Sequence, residues 1–174
     1  MTHSPARIAT RIILEKYRDP DSAVYHALRS GIHPRSLDER IIEARTVEGN
    51  VILDIGANAI WRLVTGIDPP RVFNSENACI GVGDSDTPED PSQTGLYGPN
   101  VAFKGMDEGY PVVTDRSAVF RSTFGPSEAL FYWREVSVTN TCGGGRIYLN
   151  RRVVDFGEKK QGETWSITVQ LTIE

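Results

Sequence analysis

The end of the chain carries the clearest pattern of apolar and polar positions. From Trp165 to Ile173 every second residue is apolar, and the residues between them are Ser, Thr or Gln. Successive side chains of a strand point to opposite faces, so this pattern predicts a β-strand with one buried face. Runs rich in β-branched and aromatic residues predict further strands at 78–82, 118–124, 130–139 and 147–154.

Turn signals rich in glycine and proline separate these runs about every ten residues. They lie at 81–84, 98–100, 109–111, 125–126, 143–145 and 157. Such spacing is typical of an antiparallel sandwich or barrel, and we expect a β-sandwich of the jelly-roll or Ig-like type. No helix is needed between the strands, which disfavours a parallel sheet.

One helix is predicted before the strands, over about 50–65. Its apolar positions recur at helical spacing, and Gly66 then supplies a C-terminal stop. Asp68, Pro69 and Pro70 prevent continuation of the helix. The predicted domain at 50–174 is therefore a mainly β sandwich with one packed α-helix. The apolar positions of this predicted helix form one stripe along its surface, which consists of Ile52, Ile55, Ala59 and Leu63 and is widened by Ile60 and Val64.

The first 49 residues differ from the rest of the chain. They contain neither Trp nor Phe and carry a charge of about +1, against about −5 for the remainder. Aromatic residues supply much of a small core, so we expect the core at 50–174 and an extended, partly helical N-terminal arm at 1–49. Ile8, Ile12, Ile13 and Tyr17 recur at roughly helical spacing, and a short helix is predicted at 23–29.

The arm is expected to contact neighbouring subunits. Its short elements are marginal alone because helix nucleation is costly, so they need a surface to lie on. A capping box is predicted at 36–39, followed at 40–47 by a helical turn or a strand. A chain that begins near Val47 is expected to fold without the arm. The predicted contact residues are Ile12, Ile13, Tyr17, Val24, Leu28, Ile41 and Ile42.

Composition narrows the class of protein. The 174 residues carry a net charge of −4 and are 39% hydrophobic, as in a folded domain. A negative net charge disfavours nucleic-acid binding, and no apolar run is long enough to span a membrane. The first residues lack the features of a signal peptide, so the protein is expected to be made and kept, or assembled, in a cytosol. Cys79 and Cys142 are interpreted as buried free thiols.

Candidate catalytic chemistry is scarce. The three histidines, His3, His26 and His33, all precede Asn50, so a Ser-His-Asp or Cys-His site would require them to fold back over the sandwich. The glycine-rich stretch 81–85 lacks the Lys that ends a phosphate-binding loop. The chain is therefore predicted not to be an enzyme, with no catalytic residue and no cofactor.

A cluster of carboxylates follows this stretch. Asp84, Asp86 and Asp90 are the candidates for a metal site, since oxygen-rich loops can hold calcium. The glycine and closing glutamate of the helix-loop-helix calcium loop are missing. A solvated acidic turn is the preferred interpretation, and no metal is predicted.

Several segments together resemble structural proteins of tailed bacteriophages and prophages. The segments are 78–87, 92–96, 106–111, 119–129 and 149–153, and the resemblance covers roughly 50–173. The "GVGD" turn, the Q-T-x-L segment and a later strand containing Glu135 are also similar to the collar-proximal domain of tail fibres. The match to the fibre domain is looser, because residues 136–139 stand where that domain has a more apolar segment that contains glycine.

The resemblance implies a virion structural protein without catalytic residues. The expected role is a capsid decoration or cement protein on the capsid surface, which binds the major capsid protein lattice and stabilises the head. Its expected partners are the major capsid protein and neighbouring copies of itself, for example in a homotrimer. Because a fibre subunit usually continues into a repetitive shaft, the end at Glu174 favours decoration.

Two alternatives remain. One is a tail or tail-fibre attachment protein. The other is a glycan-binding module for host recognition that uses the exposed aromatic residues Tyr97, Tyr110 and Tyr132.

Overall fold

The computed structural model describes residues 7–174, which form two antiparallel sheets of five strands each. One sheet has the order β2-β1-β10-β7-β6 and the other has the order β3-β9-β8-β4-β5. The predicted mainly β, sandwich-like architecture is confirmed, and its jelly-roll or Ig-like type stays a prediction. In chain order, the elements are β1 (Ile8–Arg18), α1 (Ala23–Arg29), a 3₁₀ helix (Arg35–Arg40), β2 (Ile41–Glu48), β3 (Val51–Ile52), α2 (Asp54–Thr65), β4 (Cys79–Gly83), β5 (Val101–Gly105), β6 (Val112–Thr114), β7 (Ser117–Phe124), β8 (Tyr132–Thr139), β9 (Asn150–Glu158) and β10 (Glu163–Ile173).

The main core lies between the two sheets and takes apolar side chains from both. At its centre the ring of Trp133, on β8, contacts the rings of Phe124 and Trp165 edge to face, with centroids 4.9 Å apart in each pair. Such aromatic pairs combine large buried area with a favourable edge-to-face geometry. The two sheets are therefore joined by a continuous apolar layer.

Strand β10 confirms the alternation at the end of the chain. Trp165, Ile167 and Val169 are fully buried, and Leu171 is nearly so. Ile173, the last residue of the strand, is exposed. The pattern predicted the buried face, and only its final position lies beyond the core.

Residues 8–48 correct the prediction of an N-terminal arm. Strand β1 lies inside the first sheet, between β2 and β10, and pairs with β10 from Ile8–Ile173 to Arg18–Glu163. The helical interpretation of this segment was wrong: Ile12 and Leu14 are buried on one face of the strand, while Ile13 and Tyr17 on the other face obscure the alternation. A chain that begins near Val47 would lack this interior strand, so we no longer expect it to fold. Residues 1–6 lie outside the described part.

Four of the predicted arm contacts are buried within the chain itself. Ile12 belongs to the main core, and Tyr17, Val24 and Leu28 form a second apolar cluster with Leu37. These four are unavailable to a partner, so their assignment as interface residues was wrong. The prediction for the other three stays open, since Ile13 is half-buried and Ile41 and Ile42 are exposed.

Helix α1 has the predicted bounds and is fixed by Asp19. The buried carboxylate of Asp19 accepts hydrogen bonds from the backbone N–H groups of Val24 and Tyr25, at 3.0 and 2.9 Å. It also accepts one from the Thr164 hydroxyl of β10, at 2.7 Å. The carboxylate thus satisfies open donors of the first helical turn and ties α1 to the sheet.

The segment after α1 differs from the predicted capping box. Residues 35–40 form a 3₁₀ helix without a side-chain cap, and the alternative left open for 40–47 is resolved as strand β2.

Helix α2 begins later than predicted. Val51 and Ile52 form β3, which pairs with β9, and the helix starts at Asp54. It ends as predicted at Gly66, which adopts the left-handed conformation with φ 69°. A side chain at Gly56 would overlap the backbone of Leu149, so this glycine allows close packing of the helix. Within residues 7–174, no helix is long and apolar enough to cross a membrane.

The two cysteines form a disulfide bond, so the prediction of free thiols was wrong. Strand β4 pairs with β8 so that Cys79 lies opposite Thr139, and Cys142 follows three residues later. The turn after β8 brings Cys142 back, and the two Cα atoms are 5.5 Å apart. The sheet pairing therefore creates a proximity that the spacing of the cysteines along the chain does not reveal.

Candidate interaction surface

The acidic segment between β4 and β5 folds into a loop held by its own side chains. The carboxylate of Asp84 accepts hydrogen bonds from the backbone and side-chain nitrogens of Asn100, at 3.1 and 2.7 Å. Asp90 accepts bonds from the hydroxyl and the backbone N–H of Ser92, which lower the pKa of Asp90. Asp86 is exposed. No group of three or more potential metal ligands occurs among the described residues.

A buried ion pair anchors this loop to the second sheet. Glu135 on β8 and Arg151 on β9 are fully buried, and Arg151 Nε donates to Glu135 Oε2 at 2.9 Å. The same carboxylate accepts hydrogen bonds from the backbone N–H groups of Tyr97 and Gly98. Arg151 also donates to the carbonyl oxygen of Thr87, at 2.8 Å. Both charges are used to hold the loop, as buried charges require.

A second pair fixes the middle of the loop. Glu89 accepts hydrogen bonds from Arg152 Nη1 at 3.2 Å and from the backbone N–H of Val153 at 2.6 Å. Arg151 and Arg152 thus bind the loop within the chain. The carboxylates of Asp84, Glu89 and Asp90 are therefore all hydrogen-bonded within the chain, whereas Asp86 is exposed.

The described histidines lie apart from the two-sheet core. His26 is exposed on α1, and His33 Nε2 lies 3.3 Å from Asp38 Oδ1. Neither imidazole hydrogen-bonds to a serine or cysteine within residues 7–174. His3 lies outside the described residues.

The three tyrosines proposed for glycan binding contact three different arginines. The guanidinium carbons of Arg151, Arg121 and Arg134 lie 5.2, 5.9 and 4.8 Å from the ring centroids of Tyr97, Tyr110 and Tyr132, respectively. Within the described part of the chain, no pair of these three rings is in contact. They do not form one shared stacking platform.

A buried lysine lies near the end of β9. Lys159 Nζ donates hydrogen bonds to the carbonyl oxygens of Gly125 and Glu163, at 2.6 Å each. Burial lowers the pKa of Lys159 to about 8, and the nearby carboxylates of Glu163 and Glu128 oppose the shift only in part. The side chain joins the β9–β10 turn to the β7–β8 loop and to the start of β10.

Helix α2 and the segment after it expose a group of large apolar side chains. Trp61 is 66% exposed, Val64 is 70% exposed, and Ile67, just beyond the helix, is 70% exposed. Val72 follows at 46%. Trp61 and Val64 are neighbours on one helix face at i, i+3 spacing. We call these four residues the α2 patch.

The α2 patch is held in place by an ion pair and by close packing. Arg62 donates to the side chain of Asp68 at 2.5 Å and to its carbonyl oxygen at 2.8 Å, which fixes the turn that carries Ile67. On the opposite side of the helix, Gly56 and Ala59 are buried against the sandwich. Trp61 and Val64 are therefore presented by a helix that packs against the sandwich.

An apolar cleft of about 370 Å³ lies next to the patch, on the inner side of α2. Ile60 and Phe73 line it, and each is the chain neighbour of a patch residue, Trp61 or Val72. Side chains at the open ends of both sheets complete its walls. They include Ile8, Val113, Phe120 and Leu171.

The sequence signal for this surface was present but weak. Trp61 falls outside the predicted stripe of α2, and Ile67 follows the glycine stop, so neither was predicted to be buried. Val64 was predicted to widen the buried stripe, and its 70% exposure corrects that prediction, because it shares the outward face of the helix with Trp61. An apolar residue on the exposed face is an ordinary feature of surface helices. The predicted site residues lie elsewhere: Asp84, Asp86 and Asp90 in the acidic loop, and the arm residues in β1, α1 and β2.

Comparisons of the chain with protein-family models, with curated proteins and with solved structures found no match.

Proposed function

We propose that the protein is a structural component of a tailed-phage particle and acts as a decoration or cement protein on the head. Its role is binding, without catalysis and without a cofactor. The observation that carries the proposal is the α2 patch, a group of large apolar side chains exposed on α2 and on the segment that follows it. The resemblance of 50–173 to virion proteins supplies the kind of partner.

The chemistry of the patch suits a protein partner. Exposed apolar patches rimmed by polar residues mark protein–protein contacts, and tryptophan is enriched among residues that dominate binding energy. Fully burying an apolar side chain of this size contributes about 1.5–3 kcal/mol. Trp61, Val64 and Ile67 together thus supply an anchor that one copy uses against one neighbouring subunit.

The stabilising effect on the head follows from linkage. A protein that binds the assembled lattice and not its free subunits stabilises the assembled state by its binding free energy. The effect is repeated at every occupied site, so moderate affinity for each copy is sufficient. Internal cross-links, such as the Cys79–Cys142 bond and the Glu135–Arg151 pair, suit a component that must keep its shape while bound.

Co-sedimentation with phage heads, and separately with tails, tests this proposal. The full chain is compared with Trp61→Ala and with the control Tyr132→Ala, which removes an exposed aromatic residue on β8. We expect saturable binding to heads that Trp61→Ala weakens and Tyr132→Ala leaves unchanged. Binding to tails alone would replace decoration with tail attachment. Binding to neither would overturn the virion role.

A further inference from the structure

Strand β2 is a long edge of the first sheet with no strand on its outer side. It has eight residues, whereas β6, at the other edge of the same sheet, has three. Long exposed edges template pairing with another chain, and proteins usually shorten or cover them. Within residues 7–174, nothing pairs with the outer edge of β2.

The backbone groups available on this edge can be identified. The N–H of Gly49 donates to the carbonyl oxygen of Thr10, directly opposite on β1, so residue 49 points its backbone toward β1. Hydrogen bonding alternates along an antiparallel strand. Residues 43, 45 and 47 therefore also face β1, whereas Ala44, Thr46 and Glu48 direct their N–H and C=O groups outward. A register shift near Ile42 ends this regular stretch.

The charges on β2 select one partner and one register. If two copies pair antiparallel about Ala44, Glu43 of each copy lies opposite Arg45 of the other. Centring the pair on residue 43 or on residue 45 instead brings Glu43 against Glu43 or Arg45 against Arg45. Opposite charges across a ladder stabilise it and like charges destabilise it, so only the register about Ala44 gains two ion pairs.

The same register also suits the remaining positions. Ile42, which is 48% exposed, lies opposite Thr46 of the second copy, and Ala44 meets Ala44 at the twofold axis. Glu43 and Arg45 already have partners within their own chain. Lys16 Nζ on β1 donates to Glu43 Oε2 at 2.5 Å, and Arg45 Nη1 donates to the carbonyl oxygen of Asp155 on β9 at 2.7 Å. Each keeps further hydrogen-bonding positions free for the partner.

We propose that two copies of this chain associate through β2, antiparallel about Ala44, into one continuous ten-stranded sheet. The interface is isologous, as twofold dimers require. Glu43 and Arg45 protect the edge from unrelated strands and at the same time match a second copy. The inference holds whichever particle surface the α2 patch binds.

Sedimentation equilibrium of the full chain over a wide concentration range tests the dimer. Ala44→Pro removes an outward N–H that β1 does not use, so the fold is retained and the dimer is lost. Tyr132→Ala, which changes an exposed side chain on β8, serves as the surface control. Circular dichroism of each variant verifies that the sheets are intact.

Two charge variants make the test specific for the register. Arg45→Glu places four acidic side chains around the axis, and Glu43→Arg places four basic ones there. We expect each variant alone to dimerise at least roughly tenfold more weakly, and an equal mixture to form a heterodimer because opposite charges again face each other. A monomeric full chain at all concentrations, or a dimer unaffected by Ala44→Pro and by both charge variants, would overturn the proposal.

Discussion

The acidic loop and the α2 patch are both surface features, and they are built in opposite ways. The loop is rich in charge, yet the carboxylates of Asp84, Glu89 and Asp90 accept hydrogen bonds from within the chain. The patch contains no charge, and its large side chains contact solvent. A cluster of ionisable residues can therefore have a structural role, while exposed apolar side chains on a helix form the candidate binding surface.

The largest loss of stability is expected when the buried ion pair that anchors the acidic loop is removed. Arg151→Met leaves the Glu135 carboxylate buried without its cation, which should lower the free energy of unfolding by about 3–5 kcal/mol. The control is Arg152→Met, which removes a partly exposed pair with Glu89 and should cost much less. Urea unfolding measures both. Equal, small losses would show that the loop is not held by the buried pair.

The disulfide bond offers the next largest effect. It closes a loop of 63 residues that contains the acidic segment. Replacing Cys79 and Cys142 together by serine should cost about 2–4 kcal/mol, because the unfolded chain gains conformational freedom. Thermal unfolding with and without reductant checks this. A wild-type transition unchanged by reductant would argue against the bond.

Lys159 gives a smaller effect that depends on pH. Its folded-state pKa of about 8 lies below the ordinary value of 10.5, so between these pH values the unfolded chain binds more protons. Stability should therefore rise with pH across this window, by up to about 3 kcal/mol. Lys159→Met should remove the rise, and Lys160→Met, at an exposed neighbouring position, should retain it. Urea unfolding at several pH values distinguishes the two.

The smallest change in stability is expected at the α2 patch. Trp61→Ala and Val64→Ser alter exposed side chains, so the free energy of unfolding should change by no more than about 0.5 kcal/mol. Leu53→Ala, a fully buried change at the start of the same helix, is the contrasting variant and should cost about 2–5 kcal/mol. A large loss for Trp61→Ala would mean that the patch packs within the fold.

Local patterns predicted the elements that bury one face. The alternation at 165–173, the helix at 23–29 and the glycine stop at Gly66 all follow from residues close together in the chain. Strand β1 was missed because Ile12 and Leu14 face the main core while Ile13 and Tyr17 lie on the opposite face, so the apolar positions do not alternate strictly. Its pairing with β10 joins the two ends of the chain, which no local pattern encodes.

The candidate sites also divide into features visible in the local sequence and features that depend on distant segments. Sequence reasoning marked Asp84, Asp86 and Asp90 because charge is visible in a sequence, but the partners that hold their loop lie on β8 and β9. The disulfide bond and the α2 patch depend on which strands adjoin. These properties belong to the tertiary structure, so composition and spacing could not supply them.

Hydroxyl-radical labelling of the protein bound to phage heads tests the central claim most directly. Trp61 on α2 and Tyr97 in the acidic loop are both exposed aromatic side chains, so one experiment compares the two regions. The account predicts that binding protects Trp61 and leaves the labelling of Tyr97 unchanged. Protection of Tyr97 with no change at Trp61 would contradict it.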